Sequence, residues 1–288
     1  MDISNGMHLR VFAELFTVVA LLSIVANSFL IFVILKYKKL RDDTTNKLFL
    51  HFNILQIVIL IASPLGILLE AYSVDLQFEF MCGFLIIVFS ALFGLLEIIW
   101  LLIFDSYIKF YCNNKYERFG SVCKYVLVVI YILTVITPFP AIPWVTANPA
   151  GIGLFYYVMV PGVALLALVL IIINVIHAIR KRKLTNYKSS NIGLVIPNIF
   201  FLVLCPSLII FLCLILLDLE APSIIQILCL LVYANPIYNF FYVYFFDSDY
   251  KVFLKLSFTC KSGEYDSVNL EDQSVTYHDA KESVLHTQ

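Results

Sequence analysis

Basic residues are absent from three of the six linkers that join the long apolar runs of this chain. The linkers after the second, fourth and sixth runs contain no Lys or Arg, whereas the linkers after the first, third and fifth runs contain fourteen. Cytoplasmic loops of membrane proteins carry an excess of Lys and Arg. The alternation predicts a multi-pass protein of the plasma membrane whose amino terminus is extracellular and whose carboxyl terminus is cytoplasmic.

Charge of either sign is scarce as well. Charged residues make up 14% of the 288 residues and hydrophobic residues 61%, with a mean hydropathy of +0.93. Soluble globular domains are apolar over only about 45–50% of their residues, so a soluble domain is excluded. The net charge of −1 gives no reason to expect a nucleic-acid partner.

Signatures of catalysis and of metal binding are also missing. The seven cysteines form no CxxC pair, and the five histidines are scattered without a cysteine or carboxylate at ligand spacing. The sequence has no glycine-rich phosphate loop and no nucleophile elbow. We therefore expect neither an enzyme nor a bound metal or cofactor.

What the chain does contain is seven apolar runs, and about 20 apolar residues suffice to cross a bilayer. A charge-free stretch from Tyr125 to Ile176 is too long for one helix, and its prolines and glycines divide it. Because backbone groups in lipid must pair internally, the runs are predicted to be helices. The prediction is an all-α seven-transmembrane-helix bundle over residues 11–246, after an extracellular segment 1–10. The predicted spans are Leu15–Leu35, Leu48–Leu69, Phe80–Phe104, 124–144, 153–178, 190–217 and Ala221–Phe246.

The sequence after the seventh run predicts a short amphipathic helix over residues 247–260. Asp247 and Ser248 can cap it, and Tyr250 and Phe253 begin an apolar face at helical spacing. Such a helix lies along the membrane surface. Cys260 at its end is either a palmitoylation site or a free thiol. The polar, acidic residues 261–288 are predicted to be a disordered cytoplasmic tail.

The seventh run also contains the first motif that points to a family. Asn235-Pro236 followed by Ile-Tyr-Asn resembles the Asn-Pro-x-x-Tyr end of the seventh helix in rhodopsin-like G-protein-coupled receptors. Other residues that match this family in order are Asn27, Ser63-Pro64, Asp105-Ser106-Tyr107, Pro161 and Pro206. Among its members, the chain looks most like the short, divergent receptors of the invertebrate chemosensory kind. The residues to which the resemblance assigns a conformational-switch role are Asn27, Gln56, Asp105, Ser106, Pro206, Asn235, Pro236 and Tyr238.

The departures from the family pattern bear on signalling. Ser106 replaces the arginine of the third-helix triplet, and Gln56 replaces the second-helix aspartate. Tyr238 comes one residue early, so that Asn239 holds the position of the family's tyrosine. Cys82 finds no cysteine in residues 143–155 with which to form the usual extracellular disulfide. These changes remove groups that hold the active state in typical members.

The resemblance also implies a ligand site among the outer halves of the third, fifth, sixth and seventh helices. Its residues would be Phe84, Leu85, Val88, Phe89, Leu92, Leu204, Ser207, Leu208, Phe211, Ile225 and Cys229. This lining is almost entirely apolar, which favours a small hydrophobic ligand or lipid. The acidic outer linkers, with Glu70, Glu79 and Glu220 among their residues, instead favour a cation or a basic peptide, and both alternatives stay open.

The same resemblance implies a heterotrimeric G protein as the intracellular partner. The basic residues expected to face it are Lys109, Arg180, Lys181 and Lys183. The Arg180–Lys183 cluster also suits contact with anionic membrane lipids. Asp105 is either a switch residue or a solvated charge at the helix end. Glu97, an intramembrane carboxylate, is expected to form a structural hydrogen bond to a neighbouring helix.

Two other functions remain open for a seven-helix chain. A transporter or channel places ionisable residues along its pathway, and Glu97 lies at the required depth. A receptor-like protein that does not signal, but traffics or pairs with another receptor, would tolerate Ser106 and Asn239. The receptor interpretation is favoured because the family motifs occur in the family's order.

Overall fold

A computed structural model of the chain describes residues 3–72, 78–112, 116–136, 150–181, 192–216 and 221–258. Helices account for nearly all of these residues, and this described part contains no strand. The helices are α1 (Ile3–Lys36), α2 (Lys38–Asp42), α3 (Thr44–Ala71), α4 (Phe78–Tyr111), α5 (Tyr116–Ile136), α6 (Ala150–Lys181), α7 (Ile192–Leu216), α8 (Pro222–Tyr233), α9 (Asn235–Phe246) and α10 (Ser248–Phe258).

Seven segments of the described part of the chain are long and apolar enough to cross a membrane, which confirms the predicted fold class and fits a multi-pass membrane protein. These spans are Arg10–Lys36, Thr44–Leu69, Ile86–Tyr111, Arg118–Ile136, Gly162–Ile179, Ile192–Ile210 and Ser223–Phe246. The helix of the first span already begins at Ile3, and that of the fourth span begins at Tyr116, eight residues before its predicted start. Residues 137–149 and 261–288 lie outside the described part of the chain.

The third span occupies the middle of the bundle. Its helix α4 packs against α3, α5, α6 and α7, while α1 packs against α3 and both helices of the seventh span. The core is built from fully buried aliphatic and aromatic side chains such as Phe49, Phe52, Ile98, Ile99 and Leu102. Apolar side chains on the outer surfaces of the spans stay exposed, as expected where lipid covers them.

The bundle has a basic end, which we define as the end where α1 and α4 finish, α3 and α5 begin, and α10 docks. Tyr250 of α10 is completely buried there, and its hydroxyl donates a hydrogen bond to Asn46 Oδ1 at 3.1 Å. The ring of Phe253 lies 4.5 Å from that of Tyr37. Asp247 Oδ1 accepts the Tyr250 backbone N–H at 3.0 Å, which confirms the predicted cap, whereas Ser248 is already helical. The amphipathic helix is therefore anchored to the first two spans.

The seventh span is broken in the middle, directly before the Asn235-Pro236 motif. Ala234 forms a turn between α8 and α9, and Asn235-Pro236 begin the second helix. A proline has no backbone N–H, so the carbonyl one turn earlier loses its usual partner and the helix can bend. The backbone N–H of Ile237 donates instead to the Ala234 carbonyl at 2.9 Å. This break positions the asparagine in the bundle centre.

Candidate functional site

Three spans meet at a buried cluster of amide side chains in the middle of the bundle. Gln56 Nε2 donates to Asn235 Oδ1 at 2.9 Å, and Asn27 Nδ2 donates to Gln56 Oε1 at 3.3 Å. Asn239, one turn after Asn235, donates to the same Oδ1 atom at 3.0 Å. We call Asn27, Gln56, Asn235 and Asn239 the central cluster. Its first three members are residues to which the resemblance assigns a switch role, and Gln56 bridges the first and seventh spans.

The central cluster has hydrogen-bonding groups to spare. Within the described part of the chain, Asn27 Oδ1, Asn235 Nδ2 and Asn239 Oδ1 are buried and have no partner. The Oδ1 and Nδ2 atoms of the neighbouring Asn53 are also buried without a partner there, although its backbone carbonyl accepts a hydrogen bond from Asn27 at 3.4 Å. A buried polar group without a partner costs about 1–3 kcal/mol. An alternative arrangement of the same amides can recover part of this cost, which suits a structural switch.

Tyr238 does not belong to the central cluster. Its side chain is half-buried, whereas Asn239 is completely buried and takes part in the hydrogen bonds. Asn239, at the position where the resemblance would place a tyrosine, is thus the residue that faces the centre.

Asn53 beside the central cluster was not predicted from the sequence. It is a polar residue in an apolar run, three positions before Gln56, and this was the only available signal.

A second polar network ties three spans together at the basic end. Thr45 donates to Asp105 Oδ2 at 2.5 Å, and Lys109 Nζ lies 3.2 Å from Asp43 Oδ1. The Tyr116 hydroxyl donates to the same Asp43 atom at 3.4 Å. Burial, followed by the negative charges of Asp105 and Asp43, raises the pKa of Tyr116, so its hydroxyl stays a donor. We call these five residues the basic-end network.

Asp105 is completely buried, so the alternative of a solvated end charge is wrong. Its Oδ1 atom has no partner among the residues described. The Lys109 amine lies 3.5 Å from the hydroxyl of Thr45, the residue that holds Asp105. The ammonium of Lys109 therefore already has partners within the network, which makes it less available for an ion pair with another protein.

Ser106 contacts the sixth span where the resemblance would place an arginine. A Cβ atom built on Gly193 would lie 2.5 Å from Ser106 Oγ, 2.9 Å from Thr45 Cγ2 and 3.2 Å from the Leu102 carbonyl oxygen. One turn or more deeper, the rings of Phe52 and Phe200 meet edge to face at 6.1 Å. The sixth span thus closes directly on the second and third spans, and the small residues at 106 and 193 allow it.

The fifth and sixth spans are joined by a pair of amides that the sequence analysis missed. Asn174 Nδ2 donates to Asn198 Oδ1 at 2.6 Å, and Asn198 Nδ2 donates to Asn174 Oδ1 at 3.0 Å. Asn174 also donates to the Leu170 carbonyl of its own helix at 2.9 Å. Both side chains are half-buried. The only sequence signal was that each asparagine interrupts an apolar run.

A tyrosine clamp lies nearer the opposite end and was also missed. Tyr233 donates to Ser63 Oγ at 2.6 Å, and Ser23 donates to the Tyr233 carbonyl at 2.8 Å. The Tyr233 ring packs edge to face on Phe16, with centroids 4.5 Å apart. The first half of the seventh span is therefore fixed to the first and second spans on one side of the Ala234 turn.

The predicted ligand residues are only partly brought together. Leu92, Leu204 and Leu208 pack against the common core, whereas Phe84 lies near Gly66 of the second span. The buried Ser207 hydroxyl donates to the Val203 carbonyl of its own helix at 2.8 Å. The remaining predicted residues with described side chains, all half-buried, are Val88, Phe89, Ile225 and Cys229. The side chains of Leu85, Phe211 and Pro161 lie outside the described residues.

Several other predicted positions also lie outside the described part. Arg180 and Lys181 end α6, but only their backbone is described, while Lys183 and Cys260 are not described at all. Pro206 lies within α7 and is exposed. The predicted hydrogen bond of Glu97 to a neighbouring helix is wrong for the described residues, because its Oε2 atom is buried there without a partner.

No family model matches the chain, and no curated protein sequence matches it. The two polar networks therefore stand on their own geometry: neutral amides at the centre of the bundle, and a buried carboxylate with a threonine, a lysine and a tyrosine around it at the basic end.

Proposed function

We propose that this chain is a rhodopsin-like seven-helix receptor of the plasma membrane, which binds an extracellular ligand and signals to a heterotrimeric G protein. The observation that carries the proposal is the contact of Gln56 with Asn235 directly beside the Ala234 turn. A helix break next to a buried amide cluster is a joint at which one half-span can move against the bundle. Because the sequence motifs around this joint resemble those of rhodopsin-like receptors, we interpret it as the moving part of a receptor.

The orientation in this proposal follows from the basic end. Lys36, Lys38 and Arg41 surround the end at which α10 docks, and Lys109 and Lys124 lie on the neighbouring spans. By the positive-inside rule this end faces the cytoplasm, with the amino terminus outside. The basic end is then the surface that meets a G protein.

Activation in this proposal is a shift between two arrangements of the inner helix ends. The contact of Gly193 with Ser106 and Thr45 closes the sixth span on the bundle. A G protein needs a cleft, so α7 must leave this contact, and α9 can follow by turning at Ala234. A ligand favours the open arrangement only if it binds that arrangement more tightly.

The ligand proposed is small and apolar. The core-facing members of the predicted site, Leu92, Leu204 and Leu208, offer no charge, and the hydroxyl of Ser207 is already bonded within its own helix. Apolar pockets with few polar groups bind hydrophobic molecules. A basic peptide drawn by the acidic outer linkers is the alternative that the same experiment distinguishes.

Ligand-stimulated nucleotide exchange on co-expressed G proteins tests the proposal. Membranes with the chain at the cell surface are exposed to separate panels of volatile apolar compounds, lipids and basic peptides. We expect exchange with a member of the first two panels, and its loss in Asn235→Ala but not in the same-helix control Ile237→Ala. Surface expression without a response to any panel or G protein would overturn signalling.

The absence of an arginine at position 106 favours one further candidate, a receptor-like protein that pairs with another receptor without signalling itself. In that case the protein pairs with the other receptor while its sixth span remains closed on the bundle. The exchange assay separates the two functions. The native chain would stay silent, while a variant that forces the sixth span outward would gain basal exchange.

A further inference from the structure

Glu97 lies halfway along the third span and on its outer face. The helix extends from Phe78 to Tyr111, and the span within it begins at Ile86. Trp100 and Phe104 follow Glu97 at intervals of three and four residues, which places all three side chains on one stripe of the helix. Trp100 is 37% exposed and Phe104 is 52% exposed. We call Glu97, Trp100 and Phe104 the outer stripe.

The outer stripe points away from the bundle centre. Residues on the opposite side of the same turns, Leu95, Ile98, Ile99 and Leu102, are almost completely buried. Glu97 therefore does not line a path through the middle of the bundle, as a transporter's carboxylate would. Its half-buried side chain lies at the edge of the boundary between the third and fourth spans, where Phe104 packs on Phe119 at 5.6 Å.

The carboxyl group has no hydrogen-bond partner within the described residues. Its Oε2 atom is buried and unpaired, and so is Oγ1 of Thr134 on the adjoining fourth span. Thr134 packs where Gly94, one turn before Glu97, has no Cβ. An ionisable side chain in the bilayer is costly, and it usually pairs with another polar group. The Glu97 side chain as a whole is only half-buried, so it can be reached from the lipid side, and the described part of this chain supplies no partner for it.

The chemistry of the outer stripe selects a cation. A carboxylate pairs with an ammonium or guanidinium group, and the exposed faces of Trp100 and Phe104 attract the same groups. We propose that the outer stripe docks a transmembrane helix of another protein, one that carries a Lys or Arg at the depth of Glu97. This inference does not depend on whether the chain signals to a G protein.

A second copy of this chain does not supply that cation. Arg10 begins the first span at the opposite end of the bundle, where its side chain donates to the Ala71 carbonyl. Among the other Lys and Arg residues of the spans, Lys124 lies farthest from the basic end, eight residues after Tyr116, or about 12 Å along the helix. Glu97 lies fourteen residues before Tyr111, or about 21 Å from the same end. A lysine so close to the interface extends its amine toward water. The partner is therefore a different protein.

The test uses the full-length chain in phosphatidylcholine vesicles with single-span polyleucine peptides of about 20 residues. The peptides carry Lys, Arg, Leu or Glu at their centre, and energy transfer from a donor on the chain's tail to an acceptor on the peptide reports binding. We expect the Lys and Arg peptides to bind about tenfold more tightly than the Leu peptide. Equal binding of all four peptides to the native chain would overturn the proposal without any variant being needed.

Variants then assign the preference to the outer stripe. Glu97→Gln should reduce the preference for the Lys peptide to less than about twofold. Glu97→Lys should reverse it, so that the Glu peptide binds best, a result that a purely structural role for Glu97 does not produce. Phe104→Leu should weaken Lys binding, whereas Phe241→Leu, a comparably exposed residue of the seventh span, should not. A Lys preference that survives Glu97→Gln would contradict the proposal.

Discussion

Gly193 of the sixth span lies so close to Ser106 of the third that a single added carbon would stand 2.5 Å from the serine hydroxyl. Real Cβ contacts essentially never reach this distance, so the side chains of Ser106 and Thr45 must shift before position 193 can accept any side chain, and the Leu102 backbone carbonyl at 3.2 Å limits how far the new atom can be accommodated. The packing of these two small residues closes the basic end of the bundle. In the receptor proposed above, this contact is the place where opening begins.

Gly193→Ala should therefore loosen the closed arrangement. We expect a loss of about 1–3 kcal/mol in the free energy of unfolding, as for an overpacked core, together with raised basal nucleotide exchange if the chain couples to a G protein. Unfolding in mixed detergent micelles measures the first effect and exchange on added G protein the second. Gly162→Ala is the matched control. It also replaces a flexible glycine within a helix, but the added Cβ meets open space. Equal behaviour of the two variants would contradict the close contact.

Ser106→Arg introduces the family's residue at a buried position. The guanidinium has no room while α7 remains in place, so we expect the sixth span to move outward and basal exchange to rise above that of Ser106→Ala. Distances between spin labels on the third and sixth spans, measured in nanodiscs, would follow the movement directly. An unchanged distance distribution in Ser106→Arg would show that the arginine fits without moving the sixth span. It would contradict the role of the Gly193–Ser106 contact in closing the basic end.

The central cluster and the seven spans also show what can be predicted from a single sequence. Asn27, Gln56 and Asn235 were predictable because each is a polar residue inside an apolar run, and lipid drives such residues to face one another. The span count was predictable for a similar reason, since length and hydropathy alone decide which segments cross a bilayer. Neither inference requires knowledge of how the helices are rotated.

The contacts that were missed depend on that rotation. Nothing local distinguishes Gly193 from other glycines, and its role follows from the crossing of three helices at Ser106 and Thr45. The sequence does not decide between a switch residue and a solvated charge at Asp105, because its burial depends on how the third span packs against Thr45 of the second. Glu97 was expected to form a hydrogen bond to a neighbouring helix, and it is instead half-buried without a partner among the described residues. Hydrophobic periodicity is weak in a span that is apolar on every side, so rotation cannot be inferred from it.

Gln56→Leu should destabilise the bundle centre. The substitution removes the two hydrogen bonds of Gln56, so that Asn27 Nδ2 keeps only its bond to the Asn53 carbonyl and Asn235 Oδ1 only its bond from Asn239, and each lost bond contributes about 0.5–1.5 kcal/mol. The lost free energy should appear in unfolding titrations, and any ligand response should fall because α9 loses its link to the second span. Ile61→Leu, on the exposed face of the same helix, should leave both measurements unchanged. Wild-type stability in Gln56→Leu would mean that the cluster is not energetically coupled.

Tyr250 should make the docking of α10 sensitive to alkaline pH. Burial, the largest cause, and nearby aspartates raise the pKa of its phenol well above the ordinary value of 10.0. The folded state then holds the proton more tightly than the unfolded state does. Its contribution to stability is fully present below pH 10 and falls as the pH rises above that value. In Tyr250→Phe, hydrogen exchange of residues 248–258 should lose this alkaline dependence. An identical pH profile in both proteins would contradict the buried phenol.

The Asn174–Asn198 pair provides a test of how the fifth and sixth spans move. Each single change to Leu leaves one amide without its partner, so we expect each to cost about 1–3 kcal/mol, whereas the double change removes both polar groups and should be close to neutral. A double-mutant cycle on unfolding in micelles isolates this coupling. Since Gly193 and Asn198 lie on the same helix, a pair that stays bonded during opening would carry the fifth span outward with the sixth. Spin labels on both helices should then shift together in Gly193→Ala, and separately when Asn174→Leu and Asn198→Leu are added. Additive single changes, or independent movement with the pair intact, would show that the two spans are not joined.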